Sequence, residues 1–364
     1  MVDRSRRDFL KIAFVGIATM ALGSSLAGCL SRKDQITDRL AIYNWSYYIN
    51  ETLLDVFSDQ TGIPREKIIY DEYEDPNYVL TKLEAGGSGY DVVILPDYCV
   101  DMARKKNLLL ELNKKLIPNS KNLDEKFLNL PYDPEGKFSI VYMWGSTGFA
   151  WRSGVEDVTT LEQIFDPDYG FLPKYRKKIT MLEEATEVIC SCKAYLGRRI
   201  DDWSDETLGE VKEVLIKQKP YLAAYAATNV YYEGLKKGTI YVAQAYNGDI
   251  VRLREEFSEV YFAVPEEGGT IWTDNLCIPK DAKNTELAHE FINFLLDPEI
   301  AASNSQFIGY ANPVKESWDL LGDLLEDPIV FPPEEIQERM WLMPSLTDEE
   351  RRKVEKLMLE VKAL

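Results

Sequence analysis

The sequence predicts an α/β protein built from two lobes, and three observations support this. Strand and helix patterns alternate from residue 40 to residue 96 and begin again near residue 177, which is typical of sheets whose parallel strands are joined by right-handed crossovers. The chain has 364 residues, too many for one ordinary hydrophobic core even without an N-terminal segment. Apolar residues make up 45% of it and aromatic residues 12%, which indicates a folded chain.

The first set of elements runs strand, helix, strand, helix, strand. Asn50 and Gly62 are the predicted start and stop of the first helix, and Asp75 with Pro76 begins the second. The last strand is an uninterrupted apolar run of the kind found inside parallel sheets. The five segments are "LAIYNW", "NETLLDVFSDQTG", "KIIYDEY", "DPNYVLTKLEAGG" and "YDVVILP".

A second set of elements repeats this alternation and ends in two amphipathic helices. Thr347 and Glu350 have the spacing of a capping box at the start of the last helix. The predicted strands are "KKITML", "TIYVAQAY", "YFAVP" and "NLCIP". The predicted helices are "ETLGEVKEVLIKQ", "NTELAHEFINFLLD" and "SLTDEERRKVEKLMLEVKAL".

The N-terminal segment has the features of an export signal. A basic stretch, "RSRRDFLK", precedes an uncharged apolar run that ends at "LAGC". Residues 5–11 look like a twin-arginine motif, and "LAGC" resembles a bacterial lipobox, in which Cys29 is lipidated and becomes the first mature residue. We therefore expect a signal peptide over residues 1–28, a linker over 29–38 and a chain held outside the cytoplasmic membrane by lipid. An uncleaved anchor helix is the alternative.

Charge and composition narrow the function classes. The formal net charge of −19 argues against nucleic acid as a partner and is compatible with a cationic ligand. The single histidine, His289, falls off the apolar stripe of its predicted helix, so we expect it at the surface. One histidine argues against histidine triads and zinc clusters. No cofactor or metal is predicted. The four remaining cysteines could pair in an oxidising compartment, but buried free thiols are favoured; they are Cys99, Cys190, Cys192 and Cys277.

The segment "EEGGTIWTDNLCIP" indicates what kind of ligand binds. Trp272 and Asp274 are two residues apart, so their side chains share one face of a strand. A core would reject an unpaired charge, and an exposed indole is unfavourable, but a cation between the two would suit both. Ligands of open α/β sheets bind outside the carboxyl ends of the strands. Those ends all carry aromatic or acidic residues here: "YNWSYY", "LPDY", "MLEEATE", "AYNGD" and "IWTDN".

These strand ends resemble those of the spermidine/putrescine-binding proteins of bacterial ABC importers. The resemblance covers roughly residues 40–344, and the order and spacing of its motifs make it specific. It implies two α/β lobes of the type II periplasmic-binding-protein fold, joined by crossing strands and closing on the ligand by a hinge. It also implies delivery to a membrane permease, without catalysis. The motifs are "YNWSYYI", "LPDYCVDMARKKNLLLELNKKLIPN", "YMWGSTGFAW", "EEATEV", "YNGD", "EEGGTIWTDNLCIPKDAKN" and "INFLLDPEIA…IGYANP".

The resemblance also implies the ligand-binding residues, which supply apolar walls for methylene groups and carboxylates for ammonium groups. Tyr246 stands where the family usually has Trp, and Asp249 resembles an acid of putrescine-preferring members. The aromatic and hydroxyl positions are Trp45, Ser46, Tyr48, Tyr98, Tyr246 and Trp272. The acidic positions are Glu184, Glu187, Asp249 and Asp274.

Three positions depart from the family pattern. Tyr47 replaces an acidic residue, Pro96 replaces a small hydroxyl residue, and Leu342 stands where spermidine binders carry an amide. Together with Asp249, these departures favour putrescine over spermidine. On the same pattern we expect lobe 1 over residues 39–145 and 274–318, and lobe 2 over residues 146–273 and 319–364.

Structural explanations compete with these functional ones. Trp45 and Tyr48 could be core aromatics, and we interpret Trp144 as structural, near a lobe crossover. Glu184 and Glu187 fall three apart, which is also the pattern of a solvated helix start. Asp249 could equally be a cap or turn residue after Gly248.

Other functions also remain open at this stage. The lobes could hold another small cationic solute, an amino-sugar compound or a metal complex. An extracytoplasmic hydrolase that uses two carboxylates is the enzymatic alternative. A binding lipoprotein could also present its ligand to a sensor in place of a permease.

Overall fold

The computed structural model describes residues 39–73, 75–344 and 346–363. The predicted signal peptide, the linker and Cys29 lie outside these residues. Within the described ranges, no helix is both long and apolar enough to cross a membrane.

Most of the predicted strands and helices are present, with ends that differ by a few residues. The strands are β1 (Leu40–Trp45), β2 (Ile68–Tyr73), β3 (Val92–Pro96), β4 (Ser139–Arg152), β5 (Ile179–Leu182), β6 (Leu222–Ala226), β7 (Val242–Tyr246), β8 (Val260–Ala263), β9 (Thr270–Cys277) and β10 (Trp341–Leu342). The helices are α1 (Thr52–Thr61), α2 (Pro76–Ala85), α3 (Asp97–Lys105), α4 (Leu161–Phe165), α5 (Phe171–Lys174), α6 (Ala185–Tyr195), α7 (Asp205–Gln218), α8 (Thr228–Lys237), α9 (Asn247–Glu256), α10 (Thr285–Leu295), α11 (Pro298–Ile308), α12 (Asp323–Glu326), α13 (Glu334–Gln337) and α14 (Asp348–Lys362).

The strands form one mixed sheet with a parallel wing on each side. The order across the sheet is β2-β1-β3-β9-β4-β7-β5-β6, with β10 beside β9 and β8 beside β4. In one wing β1 is parallel to β2 and β3, and in the other β5 is parallel to β6 and β7. Strands β9 and β4 lie between the wings; they run antiparallel to each other, β9 is antiparallel to β3 and parallel to β10, and β4 is antiparallel to β7 and β8.

Strands β4 and β9 join the two wings. The first half of β4 pairs with β9, whereas its second half pairs with β7 from Thr147 to Trp151 and with β8 from Phe149 to Arg152. In the same way, β9 pairs with β3 from Asp274 onward and with β10 at Thr270 and Ile271. Each of these two strands therefore contributes backbone hydrogen bonds to both halves of the molecule.

Each wing has its own hydrophobic clusters. On β1, Leu40 and Ile42 pack into one cluster while Ala41 and Tyr43 pack into another, because alternate side chains point to opposite faces. On β7, Val242 and Ala243 divide between two further clusters in the same way.

Helix α14 packs onto the second wing through four apolar side chains, which are Val354, Leu357, Met358 and Val361. Burial of a side chain of this size stabilises the fold by roughly 1.5–3 kcal/mol.

Trp144 has the structural role that the sequence predicts. It lies on β4, is fully buried and donates a hydrogen bond from Nε1 to the carbonyl of Asn312 at 3.2 Å. Its ring packs against Phe127 and Phe331. These contacts fix the middle of a crossing strand.

The helix ends agree with the sequence except at the first helix. Asp75 accepts a hydrogen bond from the Asn77 amide as N-cap of α2, Gly62 ends α1 in a left-handed conformation, and Thr347 forms the capping box of α14. The N-cap residue of α1 is Glu51 instead of Asn50. The Asn50 side chain still accepts a hydrogen bond from the Thr52 amide at 3.3 Å.

The prediction of a surface position for His289 is wrong. The residue is buried, its Nε2 accepts a hydrogen bond from the Asn113 amide at 2.9 Å, and its Nδ1 lies 2.5 Å from the Thr285 carbonyl oxygen. A loop covers this side of α10, which local periodicity does not reveal. The four cysteines named above are buried and unpaired.

Candidate functional site

A cleft of about 570 Å³ opens where strands of both wings end. This edge of an α/β sheet is where ligands bind in open sheets. The structure brings all ten predicted ligand-binding residues together along this cleft, while their role in binding stays a prediction. They are Trp45, Ser46, Tyr48, Tyr98, Glu184, Glu187, Tyr246, Asp249, Trp272 and Asp274.

The two wings contribute these residues in equivalent ways, from strand ends and the first turns of the helices that follow. Trp45 ends β1, and Tyr98 lies in the first turn of α3, directly after β3. From the other wing, Glu184 is the N-cap of α6, Tyr246 ends β7 and Asp249 lies in the first turn of α9.

Strand β9 forms the part of the site that the wings share. Thr270, Trp272 and Asp274 are spaced two residues apart and therefore lie on one face of the strand. The Thr270 hydroxyl donates a hydrogen bond to Glu187 at 2.7 Å. Along this face the order is thus the Glu187 carboxylate, which Thr270 holds, then the Trp272 indole and then the Asp274 carboxylate.

Asp274 is held by two aromatic side chains. Its Oδ1 accepts a hydrogen bond from Trp45 Nε1 at 2.9 Å, and its Oδ2 accepts one from the Tyr48 hydroxyl at 2.8 Å. Burial raises the pKa of Asp274 to about 6, and the hydrogen bonds from Tyr48 and Trp45 limit the rise. The carboxylate is therefore oriented into the cleft and largely removed from water.

Glu187 and Glu184 have different environments although they lie on the same helix. Glu187 is buried, and its two carboxylate oxygens accept hydrogen bonds from Thr147 at 2.8 Å and from Thr270 at 2.7 Å. Burial raises the pKa of Glu187 to about 7, while the two threonine hydroxyls oppose the shift. Glu184 is exposed and caps α6 by accepting from the Thr186 amide.

A row of edge-to-face aromatic rings crosses the cleft. Trp272 packs against Tyr310 with ring centroids 5.1 Å apart and against Tyr246 at 6.5 Å, and Tyr310 packs against Tyr48 at 5.7 Å. Tyr310 is absent from the sequence-based set. The feature of the sequence that could have indicated Tyr310 is the preceding Gly309, which ends α11 with φ of 84° and turns the chain.

Two glycines make room for this row. A Cβ atom on Gly145 would lie 2.3 Å from Cζ2 of Trp272, and one on Gly248 would lie 1.8 Å from Cζ of Tyr310. Any larger residue would have to displace an aromatic ring of the site, so both rings depend on these positions having no side chain.

Asp249 already has partners within the protein. Arg252 Nη2 donates to its Oδ1 at 3.0 Å, and the Tyr231 hydroxyl donates to its Oδ2. Burial raises the pKa of Asp249, and these two partners oppose the shift. Asp249 lines the cleft, but with Arg252 beside it the pair presents little net charge to a ligand.

Asp97 is a cleft carboxylate that the sequence analysis did not identify. It is 2% exposed, and its Oδ1 accepts a hydrogen bond from the Tyr98 amide at 2.7 Å. Its Oδ2 is buried and accepts no hydrogen bond from the part of the chain that the structure describes. Burial raises the pKa of Asp97 to about 8, and the neighbouring charges of Asp274 and Glu187 add to the shift.

Two of the three positions that depart from the family pattern line the cleft. Tyr47 and Pro96 line the cleft, and Tyr47 stands in a left-handed conformation with 81% of its surface exposed. Leu342 does not line it, whereas the next residue, Met343, does. Neither of these two side chains offers an amide.

The sequence profile described as "Bacterial extracellular solute-binding protein" matches residues 52–332. The chain belongs to this family. The putrescine-binding periplasmic protein SpuD of Pseudomonas aeruginosa is 30% identical to this solute-binding protein over 94% of this chain and 97% of that protein. The spermidine/putrescine-binding periplasmic protein of Salmonella typhimurium is 31% identical, over 86% of this chain and 88% of that protein. The structure of the spermidine/putrescine ABC transporter substrate-binding protein PotD from Streptococcus pneumoniae superposes with a TM-score of 0.83 at 28% identity, covering 90% of this chain and 99% of that one.

Family membership decides between a binding protein and an enzyme. This solute-binding protein is a receptor and not an enzyme, so the two-carboxylate hydrolase is set aside. The match to the S. pneumoniae structure confirms the predicted two-lobed α/β fold.

The close approach at Gly145 leads to a stability prediction. We expect Gly145→Ala to destabilise the protein by about 1–3 kcal/mol, because the added methyl group overpacks the contact with Trp272. Gly209→Ala is the matched control, since nothing lies within 4 Å of its added Cβ on helix α7 and it should be neutral or stabilising. Urea denaturation of the three proteins measures this; equal stabilities would contradict the packing argument.

The cleft carboxyl groups predict how stability without ligand changes with pH. The pKa values of Asp274, Glu187 and Asp97 are raised to about 6, 7 and 8. Unfolded Asp and Glu titrate near pH 4, so between about pH 4 and 8 the folded state binds more protons and its stability falls as the pH rises. We expect a thermal midpoint several degrees lower at pH 7.5 than at pH 5.5, at equal ionic strength. A midpoint that is constant or rises over this interval would contradict the prediction.

Proposed function

We propose that this solute-binding protein captures a polyamine, putrescine or spermidine, between its lobes and delivers it to the permease of an ABC importer. One observation carries the proposal: a carboxylate, an indole and a second carboxylate lie in a row along one face of β9. Trp272 and Asp274 belong to this face, and Glu187 is held at its other end by the Thr270 hydroxyl. A polyamine has the complementary order of ammonium, methylene groups and ammonium.

The energetics of such a site are adequate for a transport receptor. The amines of a polyamine have pKa values near that of Lys, roughly 10, so the ligand is cationic at neutral pH. A charge-assisted hydrogen bond contributes roughly 1.5–3 kcal/mol, and an ammonium over an indole face roughly 0.5–2 kcal/mol. Several of these together offset the cost of ordering a flexible ligand and reach about −8 kcal/mol, which corresponds to micromolar affinity.

The names of the relatives support this ligand class. SpuD is named as a putrescine-binding protein, and the S. typhimurium and S. pneumoniae proteins are named for both spermidine and putrescine. Within this class, the absence of an amide at Leu342 and Met343 supports putrescine as the preferred ligand.

The residue roles follow from the contacts. Asp274 and Glu187 bind ammonium groups, Glu184 at the exposed rim contributes charge, and Trp272 covers the methylene chain. Trp45 and Tyr48 orient Asp274 as well as lining the cleft. The remaining polar and aromatic contacts come from Ser46, Tyr98, Tyr246 and Asp249.

The lobe boundaries and the anchor are part of the same proposal. Lobe 1 spans residues 39–145 and 274–318, lobe 2 spans 146–273 and 319–364, and a hinge in the crossing strands closes them on the ligand. Export by a twin-arginine signal and lipidation of Cys29 hold the protein beside its permease, outside the cytoplasm.

Thermal unfolding with a panel of ligands tests the ligand class. A ligand at a hundred times its dissociation constant adds about 2.7 kcal/mol to the free energy of unfolding, which raises the midpoint by several degrees. We expect this shift with putrescine and smaller or equal shifts with spermidine and spermine. Glycine betaine, which carries no N–H donor, should give none. If no polyamine shifts the midpoint, the solute is of another class.

Substitution of Asp274 tests the central anchor. We expect Asp274→Asn to weaken putrescine binding at least about tenfold, because the ligand ammonium loses its charged partner. Glu183→Gln is the matched control, since it removes one charge from an exposed position next to Glu184 that does not line the cleft. Calorimetric titration of both variants should show the loss in the first alone; unchanged affinity in Asp274→Asn would overturn the assignment.

A further inference from the structure

The buried carboxylates of the cleft differ in how fully the protein satisfies them. In Asp274, Glu187 and Asp249, each carboxylate oxygen accepts a hydrogen bond from a protein donor. Asp97 has one oxygen, Oδ2, that is buried and accepts none from the described residues. A buried polar group of this kind calls for a partner, since nearly all such groups in folded proteins have one.

The pairing of β3 with β9 brings Asp97 close to Asp274 at the ends of these strands. In the antiparallel pairing of β3 with β9, Pro96 is the register partner of Asp274, and Asp97 follows Pro96 directly. The negative charge of Asp274 raises the pKa of Asp97, which agrees with this proximity. Both residues line the same cleft.

We propose that Asp97 is a further ligand-binding residue, whose Oδ2 accepts a hydrogen bond from the same ammonium group that Asp274 binds. An ammonium group has three N–H donors, so it can bridge two neighbouring carboxylates. This inference rests on the proposed function, and it makes the lobe 1 end of the cleft selective for primary amines that can donate more than once.

The groups around Asp97 determine how its ionisation follows pH. Burial raises the pKa of each neutral neighbour, so these stay uncharged near neutral pH; they are Tyr98, Cys99 and Tyr132. The charged neighbours are Asp274 on β9 and Glu187 on α6, both of which lose their protons at lower pH than Asp97. The backbone amides of Tyr98 and Thr273 oppose part of the rise in the pKa of Asp97, and of these two only the Tyr98 amide makes a hydrogen bond of normal geometry to the carboxylate. Asp97 thus ionises at higher pH than Asp274 and Glu187, and an ammonium bound at its Oδ2 displaces its proton.

Calorimetric titration with putrescine at two pH values tests this role. At pH 6.5 most Asp97 carboxyl groups are protonated, so binding to the wild-type protein must displace a proton, whereas at pH 8.5 most of them are already ionised. Because the Asn side chain cannot ionise, we expect the loss of affinity in Asp97→Asn to be about tenfold larger at pH 8.5 than at pH 6.5. Asp274→Asn should lose affinity at both pH values, and Glu183→Gln should lose less than about twofold at either.

A measurement on the unliganded proteins separates ligand binding from a structural role. At pH 8.5 an ionised, incompletely hydrogen-bonded carboxylate destabilises the fold, so Asp97→Asn should have a thermal midpoint equal to or above that of the wild type. A residue with only a structural role would give a lower midpoint. Buffers of different ionisation enthalpy should also show fewer protons released on binding by the variant than by the wild type at pH 7.5.

The outcomes separate this inference from the proposed function. If the wild-type protein binds putrescine and Asp97→Asn loses the same affinity at both pH values, or none, Asp97 does not bind the ligand. If the wild-type protein binds no polyamine at either pH, the proposed function fails, and the role of Asp97 fails with it.

Discussion

The burial of several carboxyl groups in one cleft is the constraint around which the structure is organised. Moving a carboxylate out of water is unfavourable unless hydrogen bonds or an opposite charge compensate. The protein supplies part of the compensation, through Trp45 and Tyr48 at Asp274 and through two threonines at Glu187. Desolvation still raises the pKa of both carboxyl groups, so a cation beside them would stabilise their charged forms.

The crossing strands connect this electrostatic constraint to both wings of the sheet. Thr147 belongs to β4 and Thr270 to β9, and both hold Glu187, which lies on a helix of the second wing. Asp274, on β9, is held by the last residue of β1 and by a residue that follows it in the first wing. One short length of β9 thus receives contacts from both wings. A ligand that bridges Glu187 and Asp274, as proposed above, would bind across the strands that join the wings.

Sequence patterns predicted the alternation of strands and helices, and the resemblance to a known family implied ten ligand-binding residues, which the structure places along one cleft. The ends of parallel strands converge at one edge of a sheet, which is why strand-end residues come together there. The sequence patterns did not reveal that Asp97 lines the cleft, because an Asp is common in the first turn of a helix such as α3.

The sequence patterns also did not reveal the hydrogen bonds that Asp249 accepts from Arg252 and Tyr231. His289 was misplaced for the same reason. Hydrogen-bond partners distant in sequence, such as Asn113 at His289 and Tyr231 at Asp249, determine how a polar residue is buried, and periodicity carries no information about them. The spacing of Asp249 and Arg252 is that of neighbours on a helix, but it does not show that the pair lies in the cleft.

The partnership of Asp249 with Arg252 changes how ligand choice is understood. The sequence treats every acid at a strand end as equivalent, yet the neighbouring guanidinium largely cancels the charge of Asp249. The charge that remains uncompensated lies at the two ends of the β9 row, with Asp97 and Asp274 at one end and Glu187, near Glu184, at the other. Trp272 lies on β9 between Thr270, which holds Glu187, and Asp274. A cleft of this kind selects a ligand by the separation of its charges and not by their total number, because an ammonium facing Trp272 alone would lack a carboxylate partner.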